Sequence, residues 1–364
     1  MNKKLIQIVL FIAGNAIGAG VLGLPVSLGG VGLWPALVAM CILYGAMLYT
    51  AQVLSDFVIE TRSFDLPSLF QKVLGKSGMI VFCVAYFTLF FCLLVAYWTG
   101  LGSLFAPIMF PCRGCLVGLV VLLLFQGFRS IGPLNVLLTW GFIIAFVALI
   151  FLMLRVENEM TVVIGNLAIL NCSLSVILCS YGFHAAVPFL CRELDFNKKM
   201  IRKAIFWGTL FPFFFNIIIV FVSFRALSAE ELQSGLARGL PVFALLCEKE
   251  RMQLCAQWGQ IFSFFAIITS LIGVSLTMGN ALQDCFSGKL IRIFPIIVTV
   301  GLPFVISIYN PSIFIRTLEF AGGICLNIIA GILPLIGKIK NDKSFLLDFL
   351  LLIGFLYVLV VTIL

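Results

Sequence analysis

The chain has 364 residues, 62% of them hydrophobic and only 10% charged, with a mean hydropathy of +1.21. Soluble domains carry about 25% charged residues and about 45–50% apolar ones, so this composition excludes a water-soluble globule and predicts an all-α polytopic membrane protein. The net charge of +8 lies between apolar runs, where it sets topology and is no nucleic-acid footprint.

A spanning helix needs about 20 mostly apolar residues. Eleven runs qualify, at roughly 5–27, 33–57, 79–107, 115–128, 134–154, 162–190, 204–227, 254–281, 291–310, 312–337 and 345–364. They predict one transmembrane domain over 1–364, surrounded by lipid, with no soluble domain appended. Lys3 and Lys4 precede the first run as in a signal peptide. No A-x-A site follows, however, and the run is long, which predicts a retained span. An N-terminus in the cytoplasm puts most of the 23 Lys and Arg on that side. Glu157, Glu159, Glu230, Glu231, Glu248 and Glu250 then face outward, which predicts N-in, C-out.

The first run contains "AGNAIGAGVLGLP" (13–25), with Gly14, Gly18, Gly20, Gly23 and Pro25 inside a membrane helix. Glycine weakens a helix and proline removes a donor. Backbone groups freed in hydrocarbon cost several kcal/mol unless something satisfies them. Between the second and third runs, "FDLPSLFQKVLGK" (64–76) offers Asp65 as an N-cap and Pro67 in the first turn, predicting a surface helix. Most of the twelve cysteines sit within apolar runs as packing residues. Cys112 and Cys115 form a lone CxxC in a loop, readable as a labile disulfide or as ordinary loop thiols.

The sixth run holds a second interruption, "SYGFHAAVPFL" (180–190), five helices after the first. Interrupted segments at corresponding positions of two halves point to a transporter binding site. An odd separation gives the halves opposite topology, an inverted repeat. Glycines also serve close helix packing, which is the competing reading. His184 is the only histidine. It suits either a reversible proton carrier or a neutral imidazole that hydrogen-bonds the unwound backbone. "SAEELQSGLARGLPVFALL" (228–246) opens with capping-box spacing at Ser228 and Glu231, predicting an external helix. In the eighth run, Thr269 and Ser270 could coordinate a cation with first-span carbonyls, although such hydroxyls more often bond their own backbone. In the tenth, Arg316 and Glu319 share a helix face and can pair, as a gate, a proton site or a structural ion pair.

"GNAIGAGVLGLP", "SYGFHAAVPFL" and "TSLIGVSLTMGNALQD" together resemble the hydroxy/aromatic amino acid permease family of the amino acid–polyamine–organocation superfamily, over essentially the whole chain. The eighth-run motif departs from the family's Gly-Leu-x-Asp ending, with Thr277, Met278, Gly279 and Asn280 in its place and Asp284 as the terminal acid. The resemblance implies a leucine-transporter-like fold of 5+5 inverted repeats with about 11 transmembrane helices, the first and sixth discontinuous. The first repeat would cover about 5–154, the second about 162–337, and an extra helix about 345–364. It implies import of an aromatic amino acid, tyrosine first and tryptophan second, by proton symport through alternating access across a bacterial inner membrane. A monomer without cofactor or metal is expected, with the amino acid and a coupling proton as its partners. Carried onto this sequence, the substrate backbone would meet Asn15, Ala16, Ile17, Gly18, Ala19 and Gly20, and Ser180, Tyr181, Gly182, Phe183 and His184, and its ring could use Tyr86, Phe87, Phe90 or Tyr97 of the third run. His184, Glu319 and Arg316 are the candidates for proton coupling or gating, and Thr269 and Ser270 for a cation site.

Three other readings differ from this one in testable ways. A sodium symporter of the same fold would use Thr269 and Ser270. A channel or facilitator calls for a continuous polar lining that the runs lack. An enzyme calls for paired carboxylates, a ligand cluster or a nucleophile–base pair, and the sequence offers a single histidine.

Overall fold

The computed structural model describes residues 3–18, 20–63, 65–104, 132–156, 167–249, 252–285, 293–341 and 346–364. Among the described residues every regular element is a helix. In hydrocarbon a helix satisfies its backbone groups internally, and the apolar runs dictate that outcome. In chain order the helices are α1 (Lys3–Ala16), α2 (Gly20–Leu28), α3 (Leu33–Thr61), α4 (Leu66–Leu104), α5 (Gly132–Leu154), α6 (Leu167–Ser180), α7 (Val187–Glu193) and α8 (Lys198–Ala226). There follow α9 (Ala229–Arg238), α10 (Val242–Leu246) and α11 (Gln253–Cys285). Helix α12 joins Ile293–Ile296, a π-helical Ile297–Gly301 and Leu302–Tyr309; α13 joins Phe314–Phe320, a π-helical Ala321–Ile332 and Leu333–Asn341; α14 is Leu346–Ile363.

Seven helical stretches among the described residues are long and apolar enough to cross a membrane: Leu33–Thr61, Leu66–Leu104, Ile169–Glu193, Lys198–Ala226, Gln253–Leu282, Phe314–Asn341 and Leu346–Ile363. Lys4–Gly14, Trp140–Leu154 and Phe294–Tyr309 are apolar but shorter. The predicted run 115–128 and the Cys112–Cys115 motif lie outside the described residues, as does most of the loop before α6.

Both segments predicted as surface helices are helical, although 228–246 divides at Gly239–Pro241 into α9 and α10. Asp65 caps the start of α4, its Oδ1 accepting from the Ser68 amide at 2.8 Å. The helix then turns into its span at Gly75, whose φ of 81° lies where a side chain is strained. Ser228 and Glu231 close a full capping box on α9, which Gly239 ends in the left-handed conformation at φ 65°.

The first span breaks as expected, but not at its proline. Helix α1 ends at Ala16, and α2 resumes at Gly20 and runs through Pro25 to Leu28. Glycine, with its backbone freedom, sets the interruption. In the sixth span Pro188 sits in the first turn of α7, where a missing N–H leaves nothing unpaired. Every residue of α2 is buried, and α6 and α13 pack against it and one another at the centre of the molecule.

Candidate functional site

The two breaks touch. A Cβ built on Gly20, the first residue of α2, would lie 2.7 Å from Ser180 Oγ and 3.0 Å from Ser180 Cα, at the end of α6. Only glycine admits that approach. Segments remote in sequence thus place their freed backbone groups side by side. Gly18 O accepts from Val21 N at 3.2 Å, and Phe183 O from Ala186 N at 2.9 Å. Ser180 O receives the amide of Asn216 on α8 at 3.4 Å.

The first break faces α4 and α11. A methyl on Gly18 would lie 3.6 Å from both Tyr97 Oη and Ser270 Oγ, so these two hydroxyls flank the break. Of the aromatic candidates in the third span, the structure brings Tyr97 to the break. Tyr86 and Phe90 instead pack on one another, centroids 4.5 Å apart, in a cluster continuing to Phe82 and Phe70. Of the two candidate cation hydroxyls, Ser270 reaches the site. Thr269 donates to its own helix, to Phe265 O at 2.8 Å or Ala266 O at 3.1 Å. Adjacent helix residues point about 100° apart, so one of the pair had to face away.

The second break turns its side chains the other way, among α1, α3 and α8. His184 is fully buried, with Nε2 3.1 Å from Thr50 Oγ1 on α3. Thr50 can also donate to Met47 O at 3.2 Å. When it does, His184 must carry its proton on Nε2. Its Nδ1 lies buried with no hydrogen-bond partner among the described residues. The Tyr181 hydroxyl is likewise buried and unpartnered. It borders a cavity of about 10 Å³ shared with Ala16, Tyr44, Met47, Phe183 and Thr209, room for about one water. Tyr44 Oη and Thr209 Oγ1 pair at 3.1 Å across that cavity wall, and Tyr44 stacks on Phe213 at 4.3 Å.

Ala16, Ile17, Gly20, Ser180, Tyr181, Phe183 and His184 are all buried, while Gly18 and Gly182 are half-buried and Ala185 is exposed. Gly182 packs on Leu326 of the α13 π segment, where a Cβ would come within 2.7 Å of Leu326 Cδ2. Asn15 closes α1 and Ala16 ends it; the Asn15 side chain and Ala19 lie outside the described residues. Glu319 is half-buried on α13 and Arg316 exposed. The two do not approach within ion-pairing distance, in contrast to the i,i+3 expectation. The described ion pairs lie elsewhere, as at Asp56, which Lys198 and Arg202 each meet at 3.0 Å. Sequence reasoning missed Thr50, Asn216 and Thr209. Hydroxyls and an amide inside long apolar helices were the available signal, shared with many other positions.

A profile of the tryptophan/tyrosine permease family matches residues 1–363. Tyrosine-specific transport system 1 of Haemophilus influenzae is 27% identical over 344 residues, covering 88% of this chain and 84% of its own. Glutamine transporter 2 of Aliivibrio fischeri is 26% identical, with 92% and 88% covered. The tryptophan-specific transport protein of Haemophilus influenzae is 25% identical, with 95% and 93% covered.

Proposed function

The chain belongs to the tryptophan/tyrosine permease family, and from that premise we propose that it imports an aromatic amino acid, tyrosine first and tryptophan second, by proton symport through alternating access. The observation that supports this reading is the contact of Gly20 with Ser180, which joins two interrupted helical stretches remote from one another in sequence. Relatives named for tyrosine and tryptophan transport support the substrate class.

In this reading the chain folds as a 5+5 inverted repeat plus α14, resides in a bacterial inner membrane with its N-terminus inside, and works as a monomer. Backbone groups at Asn15–Gly20 and Ser180–His184 take the substrate's ammonium and carboxylate, helped by positive half-helix ends. Tyr97 and Ser270 stand beside Gly18 as polar contacts from the facing helices. Two groups within the spans are offered to the coupling proton, Nδ1 of His184 and the Glu319 carboxylate. Intramembrane titratable groups are functional candidates of this kind.

The test is radiolabelled tyrosine uptake into proteoliposomes without sodium, with and without an inward proton gradient, and with tryptophan, phenylalanine and glutamine as competitors. Gradient-driven accumulation, competed best by aromatic amino acids, is expected. His184→Gln and Glu319→Gln then separate the two proton acceptors: the variant at the coupling residue should equilibrate tyrosine without accumulating it. Accumulation only with sodium would favour a second reading, in which Ser270 and first-break carbonyls hold the ion. Uptake competed by glutamine alone would overturn the aromatic substrate.

A further inference from the structure

Helix α14 is the last span, and in the proposed 5+5 arrangement it belongs to neither repeat. Its polar groups nevertheless tie it to the other helices. At its first turn Asp348 is buried, 2% exposed. Tyr49 of α3 donates to it, Lys338 of α13 lies 3.4 Å from its carboxylate, and Lys338 also donates to Tyr49. Midway along, buried Asn327 of the π segment donates to Phe355 O at 2.8 Å. Further on, Tyr357 donates to Asn171 of α6 at 2.8 Å, and Thr362 shares a 2.7 Å hydrogen bond with Ser175 of α6.

Three helices close on that last bond. A Cβ on Gly323 of α13 would overlap both the Thr362 and the Ser175 hydroxyls, and one on Gly322 would overlap Ser175 O. A Cβ on Gly331 would likewise overlap the Phe355 ring. Small residues let membrane helices approach closely, and polar pairs at such contacts hold them together. Ser175 lies on the same helix as Ser180, which ends at the second break.

We propose that α14 is a strut that travels with α6 and α13 as one unit during transport, and that Thr362 is a positioning residue for the Ser180–His184 segment. This rests on the reading of the breaks as the transport site. A strut bonded at both ends and in the middle resists sliding of α6 against α13. Its position in the structure is therefore part of what holds the second break against Gly20.

The deciding experiment is a cross-link in the full chain, Ser175→Cys with Thr362→Cys. Hydroxyls at hydrogen-bond distance place the two β-carbons near the roughly 3.5–4.5 Å that a disulfide needs. Each single variant treated with the same oxidant controls for native thiols. Tyrosine uptake in proteoliposomes should stay within about twofold of the untreated double variant after oxidation. Uptake lost on oxidation and restored by reductant, in the double variant alone, would overturn the strut. Wild-type protein that moves no tyrosine would indict the transport reading, and the cross-link would then be scored on exchange of tryptophan or glutamine. Alongside it, Thr362→Val should raise the KM for tyrosine about threefold, with Thr362→Ser restoring it. An unchanged KM in folded Thr362→Val would overturn the positioning role.

Discussion

The two breaks announce themselves alike in sequence, with small residues and then a proline inside an apolar run, yet they fold to different ends. The first is nearly bare. Around Ile17 and Gly18 it presents backbone to Tyr97 and Ser270 on α4 and α11. The second is crowded with aromatic rings and an imidazole, and its described hydrogen bonds reach α3 and α8, through Thr50 and Asn216. One break is thus exposed to the facing helices and the other is anchored among its neighbours. An interruption in a membrane helix can serve as a surface or as a fastening, and here each is done once, with Gly20 against Ser180 as the joint between them.

That joint gives the largest expected effect. In Gly20→Ala the new methyl meets Ser180 backbone at 3.0 Å, and overpacking of this kind costs about 1–3 kcal/mol. Gly20→Ala should therefore melt well below wild type in detergent and lose most uptake. Gly18→Ala has ordinary contact distances of 3.6 Å and should melt close to wild type. Equal melting of the two variants would mean that the breaks do not touch.

The fastening is tested at Thr50. Thr50→Val keeps the shape of the side chain but strips His184 Nε2 of its partner, and an orphaned buried polar group costs about 1–3 kcal/mol. A raised KM for substrate and a lowered melting temperature are expected, both recovered in Thr50→Ser. If valine and serine behave alike, His184 is not held by α3. The surface face is tested by a neighbouring pair on α11. Ser270→Ala removes the hydroxyl that faces Gly18, and one lost polar contact of about 1 kcal/mol is roughly fivefold in uptake. Thr269→Val removes only a bond to its own helix and should stay within about twofold. The reverse order would move the candidate cation hydroxyl back to Thr269.

The sequence makes the breaks legible because glycine, histidine and proline conflict openly with a spanning helix. The caps at Asp65 and Ser228 are legible because capping depends on local chemistry alone. Where the side chains of a break point is another matter. Once the helix ends at Ser180, the 3.6-residue period no longer predicts direction, so His184 could be expected against substrate and is found against Thr50. Thr269 and Ser270 are equal as composition and are separated only by rotation about α11. Arg316 and Glu319 have the spacing of a pair, yet the arginine is exposed, the glutamate half-buried, and the two form no ion pair among the described residues. The close packing of Gly322 and Gly323 of the α13 π segment onto α6 is a tertiary contact with no local signature.

The smallest expected effect lies away from both breaks and serves as their control. Burial raises the Glu231 pKa, but Lys249 at 2.9 Å and the Ser228 amide outweigh it and hold the carboxyl below its ordinary 4.5. A depressed folded pKa stabilises the protein above the unfolded value, and the contribution fades as pH falls through the folded one. Glu231 is 39% exposed, so solvent screening limits the effect to under about 1 kcal/mol. Glu231→Gln should thus melt slightly below wild type at pH 7, and the gap should close as the pH is taken toward 4. Uptake at pH 7 should be unaltered, because α9 contributes no side chain to either break. A transport defect in Glu231→Gln as large as that of Thr50→Val would show that the α9 cap and the second break are one coupled element, and the contrast between fastening and surface would have to be redrawn to include it.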